Sequence, residues 1–324
     1  SGVSDREQVF DYARAADEAG VHSIWTAEAW GPDAVPMLTQ VAERTKNIQV
    51  GTAILNIFSR TPALFAQTFG TLDVLSGGRM IIGLGTSGAN VIEHFHGVPF
   101  KLPLTRMKEY VDIINTLISG EKLDYEGKIF KLHRGFTLRF DLPRKHIPIY
   151  IASLTPKSVE QTAQIADGWL PIWTPIQDVA GEVKRFRAAA AKAGRDPNSL
   201  TVRSPGSITI TRKEDVERTR KGVAGSFAFY LARMGVFYYE HVSRLGYEEE
   251  AAAIKAAFDQ NGSQAGAAAV PDELQQAVGF VTDSVDAARE RLAEQEAAGI
   301  DLHSVEVRTG SPAETQHIYE RLVS

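Results

Sequence analysis

Residues 77–90 read GGRMIIGLGTSGAN. The apolar run of Met80, Ile81 and Ile82 stops in glycines and then in small polar residues. Gly83, Gly85 and Gly88 carry no Cβ, which lets a ligand approach the backbone closely and permits φ > 0. This is the profile of a buried parallel strand running into a ligand-binding loop. GLGTSG, residues 83–88, nearly matches the GxGxxG dinucleotide fingerprint. That fingerprint should close the first strand of a βαβ unit and open a helix, with an acidic residue ending the next strand. Here the loop lies in the third recognisable strand unit, and the residues after it, through Pro99 and Pro103, read as non-helical. The pattern therefore points away from a dinucleotide.

Outward from this stretch, strand and helix patterns alternate. Short β-branched or apolar runs at 22–28, 48–55, 147–152, 168–171, 201–210 and 304–307 read as strands beside the one at 80–84. Residues 5–20, 32–45, 62–75, 105–119, 156–166, 177–193, 283–298 and 312–322 carry helical spacing. Such repetition predicts an α/β fold with a parallel sheet covered by helices, and its length and rhythm suit an eight-stranded (β/α) TIM barrel. Seven strands are legible, so the first barrel strand is expected to be missing from the sequence, unless the barrel is incomplete or another segment fills the slot. Residues 120–146 break the repeat as loop or short strands. Residues 212–272 break it as a mostly helical insertion that includes the alanine-rich run 251–269. Neither reads as a separate domain, so residues 1–324 are expected to form one barrel domain.

Composition narrows the functional class. The chain has 324 residues, 44% hydrophobic and 23% charged, with a net charge of −5, which argues against a nucleic-acid partner. No apolar stretch approaches the roughly 18–20 residues that a membrane-spanning helix needs, and the polar start 1–7 is no secretory leader. The absence of cysteine excludes disulfides, thiolate metal sites and a cysteine nucleophile. The expectation is a cytoplasmic protein acting on a small molecule.

In a (β/α) barrel, function gathers at the C-terminal ends of the strands. That rule selects Glu28 and Trp30, then Asn56, Phe58 and Arg60, then Thr86, Ser87, Asn90, Glu93, His94 and His96, then Ser153 and Thr155, and finally Trp173 and Thr174. Two tryptophans with hydroxyl and amide groups suit a large planar ring held by stacking and edge hydrogen bonds. The backbone around Gly85, Ser87 and Gly88 could meet a phosphate or a ring. Ser153, ahead of a helix, is either a phosphate ligand, a plain N-cap, or both. His94 and His96 lack the helical spacing of a zinc motif, so no metal is expected; each is either a cleft histidine or a structural one. Glu28 is an acid/base with raised pKa, a ring-nitrogen partner, or a salt-bridge anchor for Arg60 or Arg79. Trp25 and Trp169 read as core, Trp30 and Trp173 as pocket lining.

The segments TAEAWGPDA (26–34), VGTAILNIFSRTPALFAQTFGTLDVLSGGRMIIGLGTSG (50–88), RMKEYVDII (106–114), IPIYIASLTPKSVEQTAQIADGWLP (147–171) and the late RMG…RLGYE (233–248) resemble the bacterial-luciferase-like superfamily. Within it they are most similar to the F420-dependent oxidoreductase branch, which includes methylenetetrahydromethanopterin reductase-like proteins. The resemblance implies a (β/α) barrel with insertions, coenzyme F420 as cofactor (FMN in the alternative), and a homodimer. It implies hydride transfer at the deazaflavin C5. An FMN-dependent monooxygenase and a non-catalytic flavin or deazaflavin binder are the alternatives. It further implies a non-prolyl cis peptide at Ala53–Ile54 behind the ring, with Asn56 and Glu28 at ring-edge or side-chain polar groups. Gly85, Thr86 and Ser87, with Ala152, Ser153 and Leu154, would embrace ring, side chain and phosphate. Relatives that carry Asp-His after the second strand have Glu28-Ala29 as their counterpart here, leaving Glu28 as the candidate acid. Substrate would stack near Trp30, Trp173 and His94.

Overall fold

The computed structural model describes residues 6–324 and divides the chain into two compact units. The first runs to Ala152 and takes in Ile165–Gly168, whereas the second holds Ser153–Gln164 and Trp169–Leu322. Residue 5, where the first helix was expected to begin, and most of the polar start lie outside the described residues.

The first unit alternates helix and strand as α1 (Arg6–Glu18), β1 (Ser23–Thr26), α2 (Ala34–Arg44), β2 (Gln49–Thr52), β3 (Leu55–Asn56), α3 (Pro62–Ser76), β4 (Met80–Gly85), α4 (Ala89–His94) and α5 (Pro103–Ile118). A hairpin of β5 (Leu123–Glu126) and β6 (Lys131–Phe136) and the strand β7 (Ile149–Ile151) complete it. Strands β1, β2, β4 and β7 pair in that order, all parallel, with Thr26 opposite Thr52, Gly51 opposite Ile81 and Gly83 opposite Tyr150. Strands β4 and β7 are wholly buried, which is why they read as unbroken apolar runs.

Local chemistry marks the element ends. Thr61 caps α3 by accepting from the Leu64 amide, Pro62 takes the first turn, and Gly77 closes the helix at φ 68°. The core under the sheet is built on Phe65, Phe69, Tyr110, Ile82 and Leu84. Asp73, fully buried, receives two hydrogen bonds from Arg144 (2.7 and 3.0 Å) and one from the Met80 amide (3.1 Å), tying α3 to the start of β4. The break expected at 120–146 is the antiparallel β5–β6 hairpin, its turn held by the Glu109 carboxylate through the amides of Lys128, Ile129 and Phe130.

The second unit contains α6 (Pro156–Ile165), except for that helix's last residue, and the outer residue of β8 (Gly168–Trp169). It continues as α7 (Ile176–Lys192), β9 (Thr201–Val202), β10 (Ile208–Thr211), α8 (Val216–Arg233), α9 (Val236–Val242), α10 (Glu248–Ala268), α11 (Asp272–Val278), β11 (Phe280–Thr282), α12 (Val285–Ala297), β12 (Val305–Arg308) and α13 (Pro312–Val323). The single strand expected over 201–210 is two, β9 and β10, and β10 lies between β11 and β12 in a parallel sheet. Strand β11 escapes a sequence reading because its three residues are too few to show a period.

Segment 212–272 is helical, as its spacing predicts. Helices α8 and α10 bury Phe227, Leu231, Ile254 and Phe258 against each other. The alanine-rich run is α10, interrupted at Gly262 (φ 82°). Among the described residues no helix is long and apolar enough to cross a membrane.

Candidate functional site

In the first unit the glycine-rich strand end lies against residues 52–56. The Ala53–Ile54 peptide bond is cis, the geometry that the resemblance implies. The Ala53 amide donates to Thr26 O (2.7 Å), the Glu28 amide to Ile54 O (3.1 Å) and the Ile57 amide to Gly85 O (3.1 Å), so this segment is held between the ends of β1 and β4. The Thr52 hydroxyl accepts from the Gly83 amide and donates to the Gly83 carbonyl, both at 2.8 Å. A side chain thus completes the ladder where the backbone of 52–56 turns.

This geometry corrects the reading of the glycines. A Cβ at Gly83 would stand 1.5 Å from Thr52 O, and one at Gly85 would stand 2.7 Å from Ile54 Cγ1. Their open space is filled by the chain's own residues 52–54, not left for a ligand. Nor do these glycines adopt positive φ; in GLGTSG that conformation belongs to Ser87, at φ 57°. The segment after the loop is also not free of helix, since α4 follows Gly88 directly. Isolated propensity missed α4 because six residues give less than two helical turns. Ala53, Ile54, Thr86 and Ser87 are half-buried around this strand end.

Beside it, Glu28 takes a bidentate pair from Arg60 (2.7 and 2.9 Å) and a third hydrogen bond from the Ala34 amide (3.2 Å). Burial pushes the Glu28 carboxyl up, but the hydrogen bonds from Arg60 and Ala34 and the charges of Arg60 and His96 outweigh it and hold the group below the usual carboxylate range. Of the readings open for Glu28, the structure selects the salt-bridge anchor for Arg60 and not the acid of raised pKa. Arg79 is engaged elsewhere, by the carbonyls of Ala42, Thr45, Ile48 and Ser76. Arg60 is held in turn by Asp33 (3.1 Å) and by the Tyr110 hydroxyl, which donates to its carbonyl.

Asn56 is buried; its Oδ1 accepts from the amides of Phe58 (3.0 Å) and Ser59 (2.8 Å), and its Nδ2 lies 3.4 Å from His96 Nε2. Of the two histidines, His96 therefore joins the Asn56–Glu28 group, whereas His94 is exposed on the last turn of α4. Trp30 is half exposed (51%). Trp25, expected in the core, is half-buried and stacks on Tyr150 at 5.9 Å.

In the second unit Ser153 is buried, its hydroxyl 2.9 Å from Thr162 Oγ1 and its carbonyl accepting from the Trp169 indole at 3.0 Å. It is not the cap of α6. Thr155 and Ser158 fill that role, Thr155 Oγ1 accepting from the Ser158 amide (3.3 Å) and Ser158 Oγ from the Thr155 amide (3.0 Å). Next along the chain, the Leu154 carbonyl accepts from Arg244 (2.7 Å). Arg244 also lies 3.2 Å from His241 Nδ1, and His241 Nε2 lies 3.1 Å from Thr174 Oγ1. Trp173, at φ 55°, sets its ring edge-on to Phe227 and Tyr230, and its buried Nε1 has no hydrogen-bond partner. The His241–Arg244 pair was not legible among the strand-end residues. The RLGY sequence served only as a likeness, since nothing local shows that a turn after α9 returns to residue 154.

Burial, with the Arg244 charge beside it, pushes the His241 imidazole down to about 4, so it is neutral near pH 7. In the unfolded chain a histidine takes up its proton near pH 6.5. Between these values the unfolded state binds more protons than the folded one, so stability falls as pH drops from about 6.5 to about 4. Urea midpoints measured across that range should decline, and His241→Gln should flatten the decline. An unchanged slope in the variant would assign the effect to other groups.

The family model for luciferase-like monooxygenases matches residues 2–302. The chain belongs to this family. A relative from Mycobacterium tuberculosis, classed by name with the coenzyme F420-dependent oxidoreductases, is 31% identical and covers 93% of this chain and 91% of its own. The 5,10-methylenetetrahydromethanopterin reductase of Methanolobus tindarius is 30% identical over 71% of each. Among solved structures, the coenzyme F420-dependent tetrahydromethanopterin reductase from Methanopyrus kandleri superposes with a TM-score of 0.80 at 20% identity, covering 97% of this chain and 94% of that one. The fold is accordingly the TIM-barrel-like α/β fold of luciferase-like proteins.

Proposed function

We propose that this luciferase-like protein is a coenzyme F420-dependent oxidoreductase moving a hydride between the deazaflavin C5 and a small organic substrate. The observation that carries this reading is the match, over 93% and 71% of the chain, to relatives named for an F420-dependent oxidoreductase and for a methylenetetrahydromethanopterin reductase. The residues present fit such a group. The half-buried backbone of Ala53 and Ile54, backed by Gly85, is a surface for a ring, with Asn56 at its edge and Thr86 and Ser87 beside it. In the second unit Ser153, Leu154 and the neighbouring Arg244 offer a hydroxyl and a guanidinium to an anionic group, and Trp173 holds an unspent indole N–H. We assign Ala152 to the same cofactor set.

When bound, F420 supplies C5 as a two-electron, nicotinamide-like carrier; the protein's part is to bind, orient and exclude water. Glu28 is engaged by Arg60 and is read as a positioning residue. Trp30 and His94, both exposed on the first unit, are assigned to the substrate side. We read the chain as one barrel domain with the helical segment 212–272 inserted, working as a cytoplasmic homodimer.

Absorbance titration of the purified protein with F420 and with FMN tests the cofactor. F420 binding without FMN binding is the expected result, while bound FMN with NADH-dependent oxygen uptake would overturn it. Ser153→Ala should weaken F420 binding about tenfold or more, for a lost charge-assisted hydrogen bond of about 1.5–3 kcal/mol. The variant should still fold, because Trp169 bonds the Ser153 carbonyl and Thr162 retains the Ser158 carbonyl at 2.8 Å. Undiminished affinity would remove Ser153 from the site.

A further inference from the structure

In the second unit α8 ends at Arg233, and Gly235, at φ 107°, turns the chain into α9. That turn brings Tyr238 of α9 onto Tyr230 in the last turn of α8, the two rings edge-on with centroids 4.8 Å apart. Tyr230 in turn meets Trp173 at 5.5 Å and Phe229 at 6.3 Å. His241, three residues beyond Tyr238 and so on the same side of α9, lies 3.1 Å from Thr174, which fastens the helix to the exit of β8 beside Trp173. Trp173 itself sits at φ 55°, a costly conformation for a bulky side chain, and its amide donates to Pro205 O at 2.9 Å.

The two phenols are half-buried, and burial pushes the pKa of both up, so both are neutral at pH 7. Among the described residues neither hydroxyl makes a hydrogen bond, yet neither oxygen is sealed from the surface. A polar group set this deep is costly unless something pairs with it. The rings around the pair, Trp173, Phe227 and Phe229, carry no charge and offer faces and edges to a planar apolar body. The cluster is also joined to residues assigned above to the cofactor. Arg244, 3.2 Å from His241, donates to Leu154 O at 2.7 Å.

We propose that Tyr230 and Tyr238 form a substrate subsite for an uncharged aromatic ketone or its alcohol, the oxygen held by the two hydroxyls and the ring by the aromatic wall. This rests on the hydride-transfer reading and adds the class of compound. A phenol donates to a carbonyl oxygen and accepts from an alcohol hydroxyl, so one pair serves both members of the couple. A carboxylate or phosphate would give up its hydration here without meeting a cation among the ring partners of the two tyrosines.

Calorimetric titration of the full chain with acetophenone, with and without F420, tests the assignment. Saturable binding is expected, weakened at least tenfold in the Tyr230→Phe/Tyr238→Phe double variant by loss of two hydrogen bonds, with F420 binding unchanged. Each substitution removes only a hydroxyl that holds nothing in the fold, and circular dichroism checks that the variant is folded. Equal acetophenone affinity in wild type and double variant, or no binding to the wild type, would overturn the proposal. Tighter binding of benzoate would make this an anion site and overturn the uncharged class. Weakened F420 binding in the variant would place the hydroxyls at the cofactor and overturn the substrate assignment. A wild type that binds no F420 would count against the oxidoreductase reading instead, and the titrations without F420 would still decide the subsite.

Discussion

Gly83→Ala is expected to abolish the folded protein, or to destabilise it by more than about 4 kcal/mol, the range reserved for gross steric failure. The added methyl would stand 1.5 Å from the Thr52 carbonyl oxygen and 2.6 Å from its carbonyl carbon. Both are backbone atoms of β2, paired to β1 on one side and β4 on the other, and no rotamer change relieves the collision. Moving β2 would also break the two Thr52 hydroxyl bonds to Gly83. Gly85→Ala is the informative contrast. Its methyl would meet the Ile54 side chain at 2.7 and 2.8 Å, atoms that can rotate away, so the cost should be smaller, about 1–3 kcal/mol as for overpacking. Gly31→Ala, with nothing within 4 Å and ordinary φ, should be near neutral. Urea denaturation of the three variants checks the order; a stable, wild-type-like Gly83→Ala would contradict the packing of residues 52–56 on β4.

The second large effect belongs to Arg60. Arg60→Ala leaves the Glu28 carboxylate, 9% exposed at its side chain, with the Ala34 amide and without its guanidinium. Removing one partner of a buried pair strands a charge, and a loss of about 3 kcal/mol is expected at pH 7, the low end for such pairs because an amide donor remains. The pH dependence has a defined sign. In the wild type the Glu28 pKa lies below its unfolded value, so the pair's contribution is complete above the unfolded carboxylate pKa and is lost as pH falls through the lower folded one. In Arg60→Ala only the Ala34 amide and His96 still oppose burial, the largest influence on this carboxyl, so its pKa should rise and the variant's deficit should shrink on acidification. Adding Glu28→Gln to Arg60→Ala should restore part of the stability at neutral pH by removing the stranded charge. Urea midpoints of wild type, single and double variants at pH 7 and pH 5 decide this. A single variant as stable as wild type at pH 7 would show that the pair is solvated and structurally idle.

The first prediction concerns the stretch 77–90 and what packs on it. Its strand was legible because three successive apolar residues between glycines suit a strand buried on both faces. The α/β alternation, the helical character of 212–272 and the cap signals at Thr61, Pro62 and Gly77 were likewise legible, since each rests on spacing or on local backbone chemistry. The family could be named from sequence segments spread between residues 26 and 248.

Local pattern could not say what the glycines are for. Their missing Cβ atoms are equally compatible with a ligand and with a neighbouring strand, and only the approach of Thr52 and Ile54 across some thirty residues of chain chooses the strand. The same limit explains Glu28, whose role depended on Arg60 reaching it from the next strand end, and Ser153, whose capping role was taken by Thr155 two residues on. It explains His96 over His94: neither sequence spacing nor composition tells which imidazole meets Asn56. Periodicity and cap chemistry act within a few residues, so the sequence by itself determined the longer elements, their order and the family, but not short ones such as α4 and β11. Which side chains fill a gap, carry a stranded charge or face each other depends on distances across the fold, and those only the tertiary structure decided.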